Sequence, residues 1–414
     1  MIRSLAFLVP AGLAMLAGLD AALLLLGVWA PVSTEDLPDL HGILMVFGFL
    51  GTVIALERAV ALAKPVGFLA PGLLGLGAIA LLTPAPLIIG QLGLVVGSLA
   101  LTVLYIPLFR RNFDDAILIQ ALGAALLTGA GLMWLGGAPV ANLIGWMAGF
   151  VILTIAAERL ELARVSISDS AVSVLRLTVA GFVLALLAAL LWPSLGTPLL
   201  GIGLLGLVAW LTGNDVARRT VRAPGQTGYI GACLLAGYVW LAVAGLIWVL
   251  GGPTAGTRAF DATVHAVFLG FAISMIMAHA SVILPAVLRV RLPYNRGFYI
   301  PAVLLHLGLI LRIGIGDGFG LDWARQWGGV VNVIALLGFA VLAAASAIIA
   351  TRKRRGPTKP NRTTAAGTPT EPSDAHADDE PTAPTATEAT TTEATAPTTA
   401  AEATTPTTKE DTAR

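Results

Sequence analysis

The chain has 414 residues, 57% of them hydrophobic and 12% charged, with a formal net charge of +1 and a mean hydropathy of +0.85. Soluble domains carry about a quarter charged residues, so water is excluded as the main solvent. The near-zero net charge gives no ground for a nucleic-acid partner, and the single cysteine, Cys233, excludes an internal disulfide framework and a Cys-x-x-Cys-His haem attachment.

Up to residue 351 the chain breaks into apolar runs of roughly 17 to 26 residues, long enough to cross a ~30 Å hydrocarbon core as helices. They fall near 5–30, 38–63, 66–84, 86–108, 114–136, 140–163, 173–192, 196–212, 227–251, 259–289, 299–316 and 326–351. The pattern predicts an all-α membrane protein of about twelve transmembrane helices, its partner being the lipid bilayer. The split at Pro84 and Pro86 reads one interrupted stretch as two helices joined by a tight turn. The first run follows Met1-Ile2-Arg3 and extends to Trp29 without an obvious cleavage site, so it reads as a first span rather than a signal peptide.

Cations set the expected orientation. With the N-terminus inside, the even-numbered connections hold Arg58, Lys64, Arg110, Arg111, Arg159, Arg164, Arg218, Arg219, Arg222, Arg289, Arg291 and Arg296. The other connections hold few, Arg258 and Arg325 being the exceptions, with Arg312 close to an outer helix end. This is the positive-inside pattern of a multi-pass protein of the cytoplasmic (inner) membrane, with Trp29, Trp134, Trp192, Trp248, Trp323 and Trp327 forming an aromatic belt at the outer interface. Both termini are then cytoplasmic. From residue 352 the chain turns polar and rich in Thr, Ala, Pro and Glu, a composition that reads as a disordered tail; His376 within it is no candidate ligand.

An internal repeat runs through the apolar part. Gly48-Phe49 in the second span is followed nine residues after the glycine by Glu57, and Gly149-Phe150 in the sixth by Glu158 at the same offset. A weaker third copy starts at Gly270-Phe271 in the tenth, with His279 at that offset. The period is four helices, giving three pseudo-repeats of four.

Four histidines fall within spans: His41, His265, His279 and His306. Ionisable groups in a bilayer are costly and tend to mark function, although a lone neutral histidine also serves as a hydrogen-bonding partner between helices. His41 and His265 stand near the outer ends of equivalent helices, seven and five residues before their glycines. Two imidazoles at one depth suit a bis-histidine haem. Met45 shares the face of His41 as a packing group or soft ligand, and Gly48 and Ala272, each seven residues beyond a histidine, would leave room for a flat ring. His279 lies fourteen residues beyond His265, ~21 Å along the helix, and could form with His306 a second site for haem or copper, a helix–helix hydrogen bond or a proton relay. Asp20 is a candidate partner for a ligand imidazole. Glu57-Arg58 and Glu158-Arg159 read either as interfacial carboxylates beside snorkelling arginines or as groups for proton uptake.

His41-Gly-Ile-Leu-Met45-Val-Phe-Gly48-Phe49 resembles the NnrS motif His-x-His-Glu-Met-x-Phe-Gly-Phe, from a family of haem- and copper-containing membrane proteins, and resembles helix II of haem–copper oxidase subunit I. His265-Ala-Val-Phe-Leu-Gly270 is similar to a late NnrS segment and takes the place of oxidase helix X. The resemblance implies an oxidase-like plan of twelve helices in three arcs, with haem at His41 and His265. It departs at Ile43, where NnrS has a second histidine, at Asn142, which takes the slot aligned with His41 in the sixth span, and in the absence of a His-His pair from the seventh, so oxygen reduction at a haem–copper centre is not expected.

The expectation is therefore a haem-b-binding membrane protein that transfers electrons from a quinol or cytochrome donor, or binds or senses a diatomic gas such as nitric oxide, with any enzymatic role oxidoreductase-related. A proton- or ion-coupled transporter and a haem-binding assembly factor are the alternatives; same-sided repeats disfavour an inverted-repeat carrier.

Overall fold

The computed structural model describes residues 2–164, 167–288 and 292–354. The chain separates into a unit Met1–Pro357 and a second, Thr358–Arg414. From Thr358 the polar tail, with His376, belongs to the second; residues beyond Arg354 lie outside the described residues, as do Arg289 and Arg291.

Every described long element is a helix, as a chain in lipid requires, because a helix satisfies its backbone groups internally. In chain order they are α1 (Ile2–Leu25), α2 (Leu37–Leu62), α3 (Pro65–Leu81), α4 (Leu87–Asn112), α5 (Asp115–Leu135), α6 (Val140–Ala163), α7 (Asp169–Leu191), α8 (Pro193–Asn214), α9 (Gln226–Gly251), α10 (Arg258–Pro285), α11 (Arg296–Asp317) and α12 (Asp322–Arg354). Eleven are long and apolar enough to cross a membrane; α3 is the shorter one, just after Pro65, with its first turn tightened to a 3₁₀ helix. Starts follow local chemistry. Asp114 accepts from the Ala116 amide at the head of α5 and Ser168 from the Ala171 amide at the head of α7, while Pro193 opens α8 without losing a helical hydrogen bond. The α12 helix passes the expected end at 351 by a turn, to Arg354.

The helices α2, α6 and α10 touch one another, and their remaining neighbours differ. Helices α1, α3 and α4 pack on α2, α5, α7 and α8 on α6, and α9 and α11 on α10, with α12 against α11. Of their apolar windows 61%, 72% and 56% are buried, a level that α5 also reaches at 56%, against 17% for α12. The repeated glycines let each of these helices approach its flanking neighbours closely. A Cβ on Gly48 would stand 2.8 Å from Ala14 and 2.9 Å from Ala78, one on Gly149 2.6 Å from Leu126, and one on Gly270 2.4 Å from Trp240.

Two of these helices are not regular. Leu44–Gly51 in α2 and Ala266–Ile273 in α10 are π-helical, and each starts four residues before its repeated glycine; α6 is α-helical throughout. A third π segment, Ile310–Asp317, ends α11. Such bulges widen a turn by about one residue and shift every later side chain around the axis.

Candidate functional site

The first turns of α2 and α10 bring His41 and His265 together. Their ring centroids are 6.5 Å apart and the rings are 20° from parallel. Each imidazole has one nitrogen committed. His41 Nδ1 lies 2.8 Å from the Gly18 carbonyl and His265 Nδ1 2.8 Å from the Asp261 carbonyl. A carbonyl only accepts, so both Nδ1 atoms carry the proton and both Nε2 atoms keep their lone pairs for a ligand.

The arrangement around His265 continues outward. Asp261 Oδ1 is 3.3 Å from His265 Nδ1, and Arg312 binds the same carboxylate in two-pronged fashion, at 2.7 and 2.8 Å. A carboxylate behind a ligand imidazole fixes its tautomer and raises its basicity. Asp20 does not take this part: its carboxylate accepts from the Val32 amide at 3.1 and 3.4 Å and closes the loop after α1. Asp261 is thus the carboxylate that sequence reasoning missed, and its signal was the i, i+4 spacing Asp261-x-x-x-His265.

The two rings line a small cavity of about 70 Å³, walled by Leu19, Val46, Ile144, Val264, Phe268 and Leu336 among others. Met45, Gly42, Gly329, Arg312 and Asn332 also line it. Gly18 holds the His41 ring by its carbonyl, and its missing Cβ leaves room for the Met45 sulfur, which would otherwise stand 2.6 Å from it. Asn332 is buried; its amide donates to the Leu305 carbonyl at 2.8 Å, while Oδ1 has no partner. Gly48 and Ala272 are not on the wall. The regular i+7 phase that placed them beneath the histidines fails because both π segments intervene, and Gly48 is spent on the contact with Ala14 and Ala78.

The inner histidines have other partners. His279 Nδ1 donates to the Met275 carbonyl at 2.9 Å, and Nε2 accepts from Arg159 Nη1 at 3.0 Å, so both ring nitrogens are engaged. His306 Nδ1 accepts from the Trp240 indole at 3.1 Å. Of the readings open for this pair, the contacts are those of helix–helix hydrogen bonding. Among the described residues no group of three or more His, Cys, Asp or Glu could hold a metal ion.

Arg159 anchors a buried network in α6. Its guanidinium binds Asp215 at 2.6 and 2.8 Å, and the Tyr238 hydroxyl donates to the same carboxylate. Burial pushes the Asp215 carboxyl up, but Arg159 and Tyr238 together hold it below the usual carboxylate range. Beside it, Arg58 joins Glu57 and lies 3.8 Å from Glu158. Asn142 lines a second cavity, with Trp146, Trp248 and Phe260, which shares Ile144 with the first.

A family model described as Domain of unknown function (DUF8744) matches residues 3–348. The chain belongs to this family. Neither curated proteins nor solved structures include a significant match. The matched stretch contains all twelve helices up to the last two turns of α12, and with them the histidine pair and the Arg159 network.

Proposed function

We propose that this member of the family is a membrane haem-b protein in which His41 and His265 would hold the haem, serving electron transfer or the binding of a diatomic gas such as nitric oxide. The observation that carries this reading is the pair itself. The ring centroids stand 6.5 Å apart with both Nε2 lone pairs uncommitted, so His41 and His265 are the two residues that would hold the group, and it would supply the remaining metal ligands itself.

The apolar side chains that make most of the wall suit a flat apolar ring. Bound haem would supply a one-electron couple and an affinity for diatomic ligands. The chain's own part is to hold the two rings by Gly18 and Asp261, keep them neutral donors and exclude water with Phe268, Ile144 and Leu336. Of the two rings that would hold the group, His41 is fixed by one carbonyl and His265 by a carbonyl and a carboxylate, so His265 is the more firmly positioned.

The resemblance to NnrS and to the oxidases supports the same reading on the residues His41 to Phe49. The placement of both termini on the cytoplasmic side of the inner membrane belongs to this proposal, resting on the distribution of arginines.

Purified protein from haem-replete cells should show oxidised and reduced spectra of a low-spin b-type haem. His41→Ala and His265→Ala should each abolish or shift those bands, and His306→Ala should leave them in place. A colourless preparation, or bands indifferent to both outer substitutions, would sink the proposal. Metal analysis of the same sample tests copper held by His41, His265 and Met45 instead.

A further inference from the structure

A second polar site lies at the other end of α2, sixteen residues or roughly 24 Å from His41. Here the first two copies of the repeat meet. Arg58 binds Glu57, reaches to 3.8 Å from Glu158 on α6, and donates at 3.0 Å to Gln120 Oε1 on α5. Two carboxylates share one guanidinium. The neighbouring Arg159 does not redress the balance, because it is committed to Asp215. In a low-dielectric bundle an uncompensated negative charge is costly, and protonation removes it.

Behind the carboxylates the polar groups are orphaned. Gln120 is fully buried, and its Nε2 has no partner although its Oε1 is on Arg58. Tyr105, from α4, is 1% exposed; its hydroxyl has no partner and stands within electrostatic reach of Arg58, Glu158 and Glu57. Arg58 Nε is a third unpartnered donor. Three buried polar groups around one acidic pair are what ordered water satisfies, since such a water takes two to four polar partners. Glu57 and Glu158 are themselves about a fifth exposed, so the site opens outward from this end of the bundle.

We propose that Glu57 and Glu158 form a hydrated proton-binding site that takes up and releases one proton shared between the two carboxylates. The proton comes from a hydronium ion at the open side, leaving water, and returns the same way; no bond between heavy atoms changes. The other charged or titratable groups that face the pair are Arg58 on α2, Tyr105 on α4, and Arg159 and Glu161 on α6, with His279 on α10 and Asp215 behind Arg159. Nothing in this site depends on haem at the outer pair.

Infrared difference spectra of the full chain in lipid nanodiscs, recorded across a pH series, test it. A carboxylic acid carbonyl band should appear as pH falls, shift in deuterium oxide, vanish in both Glu57→Gln and Glu158→Gln, and persist in Glu161→Gln. Tyr105→Phe keeps both carboxylates and, by removing the hydroxyl that the water would bridge to the ionised form, should raise the midpoint by about half a pH unit or more. Absence of a titrating band, its survival in either glutamine variant, or an unmoved midpoint in Tyr105→Phe would overturn the assignment. So would a midpoint that moves with sodium at constant ionic strength, which would make this a metal-cation site.

Discussion

A neutral histidine offers one donor and one acceptor, and where its donor goes decides what the acceptor can do. His41 and His265 spend Nδ1 on carbonyls and keep Nε2, whereas His279 spends both nitrogens and His306 accepts from Trp240. The four were equivalent as letters; only their neighbours separate them. Asp215 is the residue whose loss should cost most. Removing one partner from a buried ion pair leaves the other charge stranded, at a cost of about 3–5 kcal/mol, so Asp215→Asn should lower the denaturation midpoint in detergent micelles, while Arg159→Met combined with Asp215→Leu should recover much of the loss. Because Asp215 is held below its ordinary value, its contribution is fully present above the unfolded carboxylate pKa of ~3.9. It is lost as pH falls through the lower folded value. The wild type should therefore lose stability in acid more steeply than the Asn variant, which has no carboxylate to protonate.

At the scale of elements, the irregular turns of α2 and α10 matter more than their hydropathy. The π segments Leu44–Gly51 and Ala266–Ile273 begin within three residues of His41 and immediately after His265. They let the first turns aim imidazoles at the shared cavity while the following turns keep glycines on neighbouring helices. Gly48→Leu should clash with Ala14 and Ala78 and cost at least the 1–3 kcal/mol of an overpacked core. The effect is measured as a lowered melting temperature, whereas the same change at Gly12, which has nothing within 4 Å of an added Cβ, should be nearly silent. The failed placement of Gly48 and Ala272 beside the histidines has the same origin: a 3.6-residue period was read through turns that do not keep it. The sequence carried the Gly-Phe repeat plainly, but a π turn leaves no mark in composition.

For the whole molecule, the family match at 3–348 and the unit ending at Pro357 delimit the same body. A chain ending at Pro357 should keep the melting temperature and any visible spectrum of the full chain, because no described helix extends beyond Arg354; both are read on one purified sample. The twelve apolar stretches and the matching depth of His41 and His265 could be read along the chain, since hydropathy and residue counting are one-dimensional properties. Which carboxylate stands behind which imidazole could not. Asp20 and Asp261 both lie near the right depth, and the choice fell to the loop after α1, whose Val32 amide takes Asp20, and to the turn of α10 that sets Asp261 over His265. Likewise Glu57 and Glu158 are 101 positions apart and belong to one site only because α2 and α6 pack together around Arg58. The solvent and the helices follow from the burial of apolar area, which sequence pattern encodes locally; the chemistry of each site follows from directional contacts between distant segments, which only packing creates.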